Sequence, residues 1–404
     1  MKNSIFLFLI LSIVSCGDSG SSEVQSEQLD FSMSDRLTVY PAVEKADTLQ
    51  LTRLTEFGDT EDVFYGSMSE FTVDDSGRVY VADSGWGSRS LHVYNPDGSY
   101  VMKIAGEGKG PGEFLSLSNL QFKSGKIMFY DSELKRITLF SVDPPGLFKT
   151  ILVDNLSVGE GENRLLKNPT EFYLESDGNF FVGFQETPRV ENAGNRLKRY
   201  YRIDSEFNVI SENLINLKAK EFIHSNQQQN TGNVQFRIMK DFPFFARNFF
   251  VSSQEGGFFT VESRHFMIKK YDKDGVYISG FYHPFNSPKV TREDAFNSVN
   301  ELAEDLAQNV DLPDFWPVIN SISVDDENHF WVSTNTENED YFEWWVLEES
   351  GEVKVKFRLP GNRYQQPGGH DKIVVKKGYF YVKEVDSVEQ TSSIVKYKIE
   401  FNER

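Results

Sequence analysis

The sequence predicts an all-β protein: a six-bladed β-propeller of four-stranded antiparallel blades, closed by an N-terminal strand and carrying one inserted helix. Three observations predict it. Phe71 to Phe114 holds four short apolar runs separated by turn signals. Variants of that unit recur at a spacing of roughly 50 residues, a period of radial repeat architectures rather than of separate domains. The last unit is one strand short, and a strand-like segment near the N-terminus has no partner beside it.

Within the first unit, Phe71-Thr72-Val73 reads as a strand and Asp75-Ser76-Gly77 as a turn whose glycine accepts positive φ. Val79 and Val81 alternate with Tyr80 and Ala82, the pattern of a strand buried on both faces. A Gly/Ser loop from Asp83 to Arg89 precedes the strand Leu91-His92-Val93-Tyr94. Asn95-Pro96-Asp97-Gly98 is a hairpin signal, and Tyr100 to Ile104 is the fourth strand. Such a meander leaves two apolar faces exposed, so copies must stack, and radial stacking is the propeller solution.

The second unit starts at Leu120 and ends on Thr150 to Val153. The third runs from Glu171 and is completed by Arg199 to Ile203 and Asn208 to Glu212. The fourth opens at Phe249, with Gly256-Gly257 and Asp274-Gly275 as its turns. The fifth begins near Ile322 and takes in Tyr341 to Glu348 and Val353 to Phe357. The sixth, from Ile373, ends on Ile394 to Glu400 with three strands, and Leu49 to Phe57 supplies its outermost fourth. Strands from both termini then close the ring and hide two edges.

Two insertions interrupt the spacing. Residues 218–247 contain a polar Gln/Asn run, expected as a mobile surface loop. Residues 287–317 contain a helix opened by a Thr291/Asp294 capping box. Phe296, Val299, Leu302, Ala303 and Leu306 share its apolar face, and Leu312-Pro313 stops it. The helix is expected to pack across one end of the ring, and a lid over the channel is the sharper form of that expectation.

The 404 residues are 39% hydrophobic and 14% aromatic, ample for a core, and the formal net charge is −19. That charge repels phosphate backbones and excludes nucleic acid as a partner class. The single cysteine, Cys16, excludes an intrachain disulfide and a Cys-based zinc cluster. Its position is more telling. A basic start, an apolar run from Ile5 to Val14 and the Ile13-Val14-Ser15-Cys16 sequence resemble a bacterial lipobox. Residues 1–15 are thus expected as a signal peptide, Cys16 as the lipid attachment site, residues 16–46 as a flexible tether and residues 47–404 as the propeller. Gly17 after the cysteine favours the outer membrane, facing the periplasm or the cell surface.

Asp83-Ser84 with Arg89-Ser90-Leu91, and Asp131-Ser132 with Arg136-Ile137, resemble the Asp…Arg-Ile pattern of NHL-repeat propellers. Gly106 to Phe114, with Gly110, Pro111, Gly112 and Phe114, resembles their inter-blade motif. The whole chain is similar to six-bladed, TolB-like propeller lipoproteins of Bacteroidetes, over roughly residues 47–400. Units three to six lose both the Asp and the Arg. In this resemblance the motif is structural, its carboxylate holding the arginine and the loop between strands.

No H-E-x-x-H, G-x-S-x-G or P-loop sequence occurs. Asp272-x-Asp274-Gly275 lacks the rest of a calcium loop and reads as a hairpin turn. None of His92, His224, His265, His283, His329 and His370 is spaced for metal ligation. Metal-dependent lactonases and NHL-type lyases assemble ligands from different blades, which leaves a channel calcium or zinc as the alternative to no cofactor. Trp86, Arg89, Phe315, Trp316 and Trp344 are the ligand-binding candidates, because aromatic planes dock sugars and peptide side chains. Arg189, Arg196 and Arg199 could add polar groups. The expected function is a monomeric, lipid-anchored, non-catalytic module binding an envelope protein, glycan or peptide. A metal-dependent hydrolase or lyase is the alternative.

Overall fold

A computed structural model describes residues 36–43, 46–61, 63–85, 87–153, 158, 169–186, 196–224, 229–231, 234–236, 239–364, 372–386 and 391–402. Two strands precede the first blade, β1 (Leu37–Val39) and β2 (Thr48–Phe57). Blade one is Met68–Val73, Val79–Asp83, Ser90–Tyr94 and Tyr100–Gly106 (β3–β6), and blade two is Ser118–Lys123, Lys126–Asp131, Arg136–Val142 and Pro145–Leu152 (β7–β10). Blade three is Pro169–Leu174, Phe180–Gln185, Leu197–Ile203 and Ile215–Lys218 (β11–β14). Two small hairpins, Ile223–His224 with Met239–Lys240 (β15, β18) and Gln229–Thr231 with Val234–Phe236 (β16, β17), precede blade four. Blade four is Asn248–Ser252, Phe258–Glu262, Phe266–Tyr271 and Tyr277–His283 (β19–β22). Blade five is Ile319–Val324, Phe330–Thr334, Tyr341–Leu347 and Val353–Pro360 (β23–β26), and Ile373–Lys376, Tyr379–Val385 and Ser392–Asn402 (β27–β29) begin blade six.

The fourth strand of blade six is β2, as expected from the spare N-terminal segment. It pairs antiparallel with β29 from Thr48↔Asn402 to Phe57↔Ile394, with one irregularity between Arg53 and Thr55. Phe57 is buried against Tyr94 of blade one and Tyr381 of blade six, so the closing strand also fills the last seam.

Each pair of neighbouring blades shares one apolar cluster. Phe71, Val81, Tyr94 and Tyr381 join blades six and one, and Tyr80, Leu91, Phe129 and Phe140 join one and two. Met128, Phe172, Val182 and Tyr201 join two and three, and Phe181, Tyr200, Phe250 and Phe258 join three and four. Phe259, Phe281, Phe330 and Trp345 join four and five, and Trp331, Trp344, Phe357 and Phe380 join five and six. The second strands are buried on both faces, as their unbroken apolar runs predict.

The innermost strands β3, β7, β11, β19, β23 and β27 surround the axis, and their free edges need hydrogen-bonding partners. Side chains of the preceding blade supply many of them. Glu70 accepts from the Asn119 and Leu120 amides at 3.1 and 2.7 Å. Asn119 accepts from the Phe172 amide at 2.9 Å, while Gln121 donates to the Phe172 carbonyl and accepts from the Leu174 amide. Ser323 donates to the Ile373 carbonyl, and Lys376 to the Val73 carbonyl.

Three elements differ from the sequence expectation. The fourth strand of blade three is Ile215–Lys218, because Asp204 caps a turn over residues 204–208 and delays the strand beyond Asn208 to Glu212. The inserted helix is two short helices, Arg292–Asn297 (α1) and Glu304–Asn309 (α2), joined through a 3-10 turn at Glu301–Ala303. Thr291 and Asp294 form the expected capping box, but Ser298 ends the first helix and Phe296 lies exposed. Residues 36–43, assigned by composition to the tether, are docked on the rim. Strand β1 pairs in parallel with β22, Tyr40 stacks on His283 at 4.7 Å, and Asp47 bridges to Val355 on blade five.

This strap crosses blades four and five before β2 completes blade six. A chain starting at residue 47 should melt within about 5 °C of the full chain, because it loses a three-residue edge pairing and the Tyr40 contacts on the rim but no blade strand. A chain starting at residue 58 should lose cooperative melting, because blade six would expose an open edge and an uncapped seam. Circular dichroism melts of the two truncations test the contrast.

Candidate functional site

The loops of the ring fall on two faces. The upper face carries the links between blades and the turn after each second strand. The lower face carries the turn after each first strand and the hairpin after each third.

On the upper face the Asp/Arg motif is structural, but its contacts differ from the expected ones. Asp83, buried at the end of β4, accepts from the amides of Gly66, Ser67 and Gly85 and from the Ser88 hydroxyl. Asp131 does the same in blade two for the amides of Leu115, Ser116, Glu133 and Leu134. Each carboxylate thus ties the link entering its blade to the turn leaving its second strand. Arg136 does not pair with Asp131. It donates to the carbonyls of Lys109, Gly110 and Glu113 and clamps the inter-blade loop. Arg89 pairs with Glu107 at 3.0 Å.

The glycines of that loop have a steric reason. Gly112 sits at φ 79°, and a Cβ on Gly108 would lie 2.0 Å from the Glu113 carboxylate, which accepts from the Gly110 amide at 2.7 Å. Pro111 begins the turn between them, and Phe114 is buried against Phe129. Blades four and five keep the anchor with other residues. Ser263 accepts from the Arg247 amide at 2.8 Å, and Asn335 donates to the Pro317 carbonyl at 2.8 Å.

The two insertions meet on this face. Phe242, Phe244 and Phe245 pack with Ala295, Leu306, Ala307, Val310 and Trp316 in one apolar cluster. The end of the first insertion is therefore core, while the start of its Gln/Asn run, residues 225–228, lies outside the described residues. Arg363 and Tyr364, from the link into blade six, reach Asp294 at 3.5 and 2.9 Å.

The aromatic candidates are corrected by the same packing. Trp316 is 2% exposed inside the cap, and Trp344 is 4% exposed in the seam between blades five and six. Trp344 and Trp345 face opposite seams, as strand alternation requires. Phe315 is half-buried beside Lys289. Trp86, Arg189, His370 and Cys16 lie outside the described residues. Arg196 is buried over the Phe222 ring, and Arg199 lies 3.6 Å from Glu186. Asp272 accepts from the Asp274 and Val276 amides, the geometry of a hairpin turn.

What the sequence reading missed is the set of residues that line the axial channel. A cavity of about 420 Å³ is lined from all six blades, by Thr72 and Asp75, Gln121 to Ser124, Ser176, Gln254, Ser323 to Asp326, and Lys372 to Lys376. Asp75, Ser124, Ser176, Gln254 and Asp326 belong to lower-face turns, so the cavity opens there. Lys123 reaches across to the Gln254 side-chain oxygen at 2.7 Å and the Ser253 carbonyl at 3.4 Å. Burial, and then the nearby Lys376 ammonium, hold its pKa below the usual lysine value. Lys376 pairs with Asp75 at 2.7 Å and lies 4.2 Å from the Phe122 ring centroid. Lys372 donates to the Leu120 carbonyl at 2.8 Å and pairs with Glu70 at 3.4 Å. The signal was present: polar residues at alternate positions of inner strands, as in Asn119-Leu120-Gln121-Phe122-Lys123, are costly in a buried strand unless they line an aqueous space.

A channel metal does not fit these residues. Among the described residues no three His, Cys, Asp or Glu side chains gather to hold an ion. Asp325 is occupied by the amides of Glu327 and His329 and by the Trp331 indole, and Asp75 by Lys376.

The fold defines the class: the chain is a six-bladed β-propeller. A family model described as "6-bladed beta-propeller" matches residues 56–255, just short of half the chain. No curated protein matches the sequence. Among solved structures, a Bacteroides fragilis NCTC 9343 protein, assigned by inference to the exported proteins, aligns with TM-score 0.50 at 14% identity, covering 91% of this chain and 100% of that one. The calcium-binding protein regucalcin of Agrobacterium tumefaciens aligns with TM-score 0.39 at 11% identity, covering 89% and 96%. Virginiamycin B lyase from Staphylococcus aureus aligns with TM-score 0.37 at 13% identity, covering 87% and 98%. At these identities the likeness is one of fold alone.

The anchors can be tested. Asp131→Ala leaves several buried amides without an acceptor and should cost roughly 2–4 kcal/mol in urea unfolding, with Arg136→Ala costing a similar amount. For Asp83, burial raises the carboxyl pKa, but the Gly85, Gly66 and Ser67 amides outweigh it and hold the group below the usual carboxylate value. A depressed folded-state pKa contributes stability above the unfolded value near about 4, and that contribution is lost as pH falls further. Asp83→Ala should therefore flatten the acid limb of the stability profile below about pH 5. An unchanged slope would refute this.

Proposed function

We propose that the chain is a monomeric, lipid-anchored binding module of a bacterial envelope, with no catalytic role, and that its ligand enters the axial channel from the lower face. The observation that carries this reading is the channel lining. Hydroxyl, amide and ammonium groups from six blades converge on a cavity of about 420 Å³, the size of a small-ligand site. Groups of this kind hold a polar ligand by hydrogen bonds. The described residues supply neither a nucleophile–base pair in the channel nor a ligand set for an ion.

The anchor rests on the sequence around Cys16. No helix among the described residues is long and apolar enough to cross a membrane. The described strap begins at Arg36, on the rim of blade four beside Tyr277.

The test is calorimetric titration of the full chain in detergent with a panel of short peptides, neutral glycans and acidic glycans. Binding should be saturable and weakened at least about tenfold by Gln254→Ala at the mouth, the effect of losing one or two hydrogen bonds. Binding that survives this substitution would move the site elsewhere. Chelator should leave the melting temperature unchanged. A stoichiometric ion whose removal lowers it would restore the metal-dependent alternative.

A further inference from the structure

The lower half of the channel brings together groups that narrow the ligand class. Lys376, on the inner strand of blade six, lies over the Phe122 ring beside Lys123, on the inner strand of blade two, and its ammonium disfavours the charged form of Lys123. Among the described residues Lys123 has no carboxylate within ion-pair distance, and its proton acceptors are two neutral oxygens. Lys376 is paired with Asp75 at 2.7 Å and Glu175 acts on Lys123 only from beyond contact, so Lys123 is the lining ammonium left to attract an anion. It does so in a molecule whose net charge is −19, so the attraction is local to the axis.

The rest of the lining says which anion. Thr72, Ser124, Ser176, Gln254 and Ser323 offer hydroxyls and an amide around the same space. These groups both donate and accept, which matches a ring of ligand hydroxyls better than it matches a phosphate. Phosphate is recognised by arginine forks, glycine-rich amide nests or helix N-termini, and none of these lines the cavity. Asp326 stands at the same mouth, where it would repel a dianion but accept hydrogen bonds from hydroxyls. The half-buried Phe122 with Val324 and Val374 adds an apolar strip.

We infer that the lower channel is a site for a uronic acid, a monosaccharide carrying one carboxylate, with the carboxylate held by Lys123 and the ring hydroxyls held by Ser124, Ser176 and Gln254. This inference rests on the channel being the ligand site. It goes further in naming the ligand's charge and chemistry.

The experiment titrates the full chain with D-galacturonate, D-glucuronate, their neutral counterparts D-galactose and D-glucose, and acetate. The uronates should bind at least about tenfold more tightly than either neutral sugar or acetate, the discrimination one charge-assisted contact provides. Lys123→Met and Lys123→Gln should each erase that preference, and salt should weaken uronate binding. Lys123→Met removes a link across the ring, so Lys123→Gln, which keeps a donor toward Gln254 without the charge, is the check if that variant melts early. Equal affinity for acidic and neutral sugars, or acetate binding as tight as uronate, would overturn the inference, as would uronate binding untouched by both substitutions. If the uronates fail but another member of the glycan and peptide panel binds with Gln254 dependence, only the uronic acid assignment falls. If nothing binds, the channel reading falls with it.

Discussion

The free backbone edges of six inner strands all point toward one axis, and the rest of this protein follows from how those edges are satisfied. A propeller has no seventh element to cover them, and unpaired amides and carbonyls beside a narrow channel are expensive. The chain meets the need with side chains that reach forward by one blade. Glu70 serves Asn119 and Leu120, Asn119 and Gln121 serve blade three, Ser323 serves blade six, and Lys376 closes back onto Val73. Between blades three and four the same position is filled by Tyr173 against Phe250, an aromatic contact instead of a polar one. Polarity in the channel is therefore first a consequence of strand geometry. Ligand recognition can be built on it because the groups are already oriented.

The outer parts of the blades solve a different problem. Each seam is an apolar cluster of aliphatic and aromatic side chains, and a ring of such seams is only as strong as its last joint. Phe57 at the end of the closing strand makes that joint with Tyr94 and Tyr381. The strap through Leu37–Val39 and Asp47 then binds blades four, five and six along their rims. Insertions appear only on the upper face, where Phe244 and Trp316 fuse two of them into one cap. That distribution leaves the lower mouth with short turns capped by Asp74 and Asp325.

The architecture was readable because period-two alternation and glycine turns are local, and six copies reinforce one another. The blade count, the closing strand and the capping box at Thr291 all came from such local signals. The errors have one physical origin, which is that exposure is a tertiary property. Trp316 and Trp344 looked available for ligands because their neighbours in sequence are loop-like or aromatic, but the cap and a seam bury them. The break at Ser298 is invisible in a helical pattern whose apolar spacing continues through Val299 to Leu306. The loss of Asp and Arg in later blades looked like loss of the motif, whereas Ser263 and Asn335 preserve its anchoring contact with different chemistry.

Charge is the property that composition represents worst here. A net charge of −19 excludes a polyanion spread over the surface, because such a ligand meets the average field. A small ligand in the channel meets only the groups within about 10 Å, since the field of more distant exposed charges is screened at ordinary ionic strength. At that range Lys376 and Asp75 neutralise each other through their 2.7 Å pairing and Lys372 pairs with Glu70, which leaves Lys123 as the lining ammonium with no carboxylate in contact among the described residues. An acidic exterior and one such ammonium at the axis are therefore not in conflict. The first repels long anionic chains, and the second is the group on which the proposed recognition of a single small carboxylate rests.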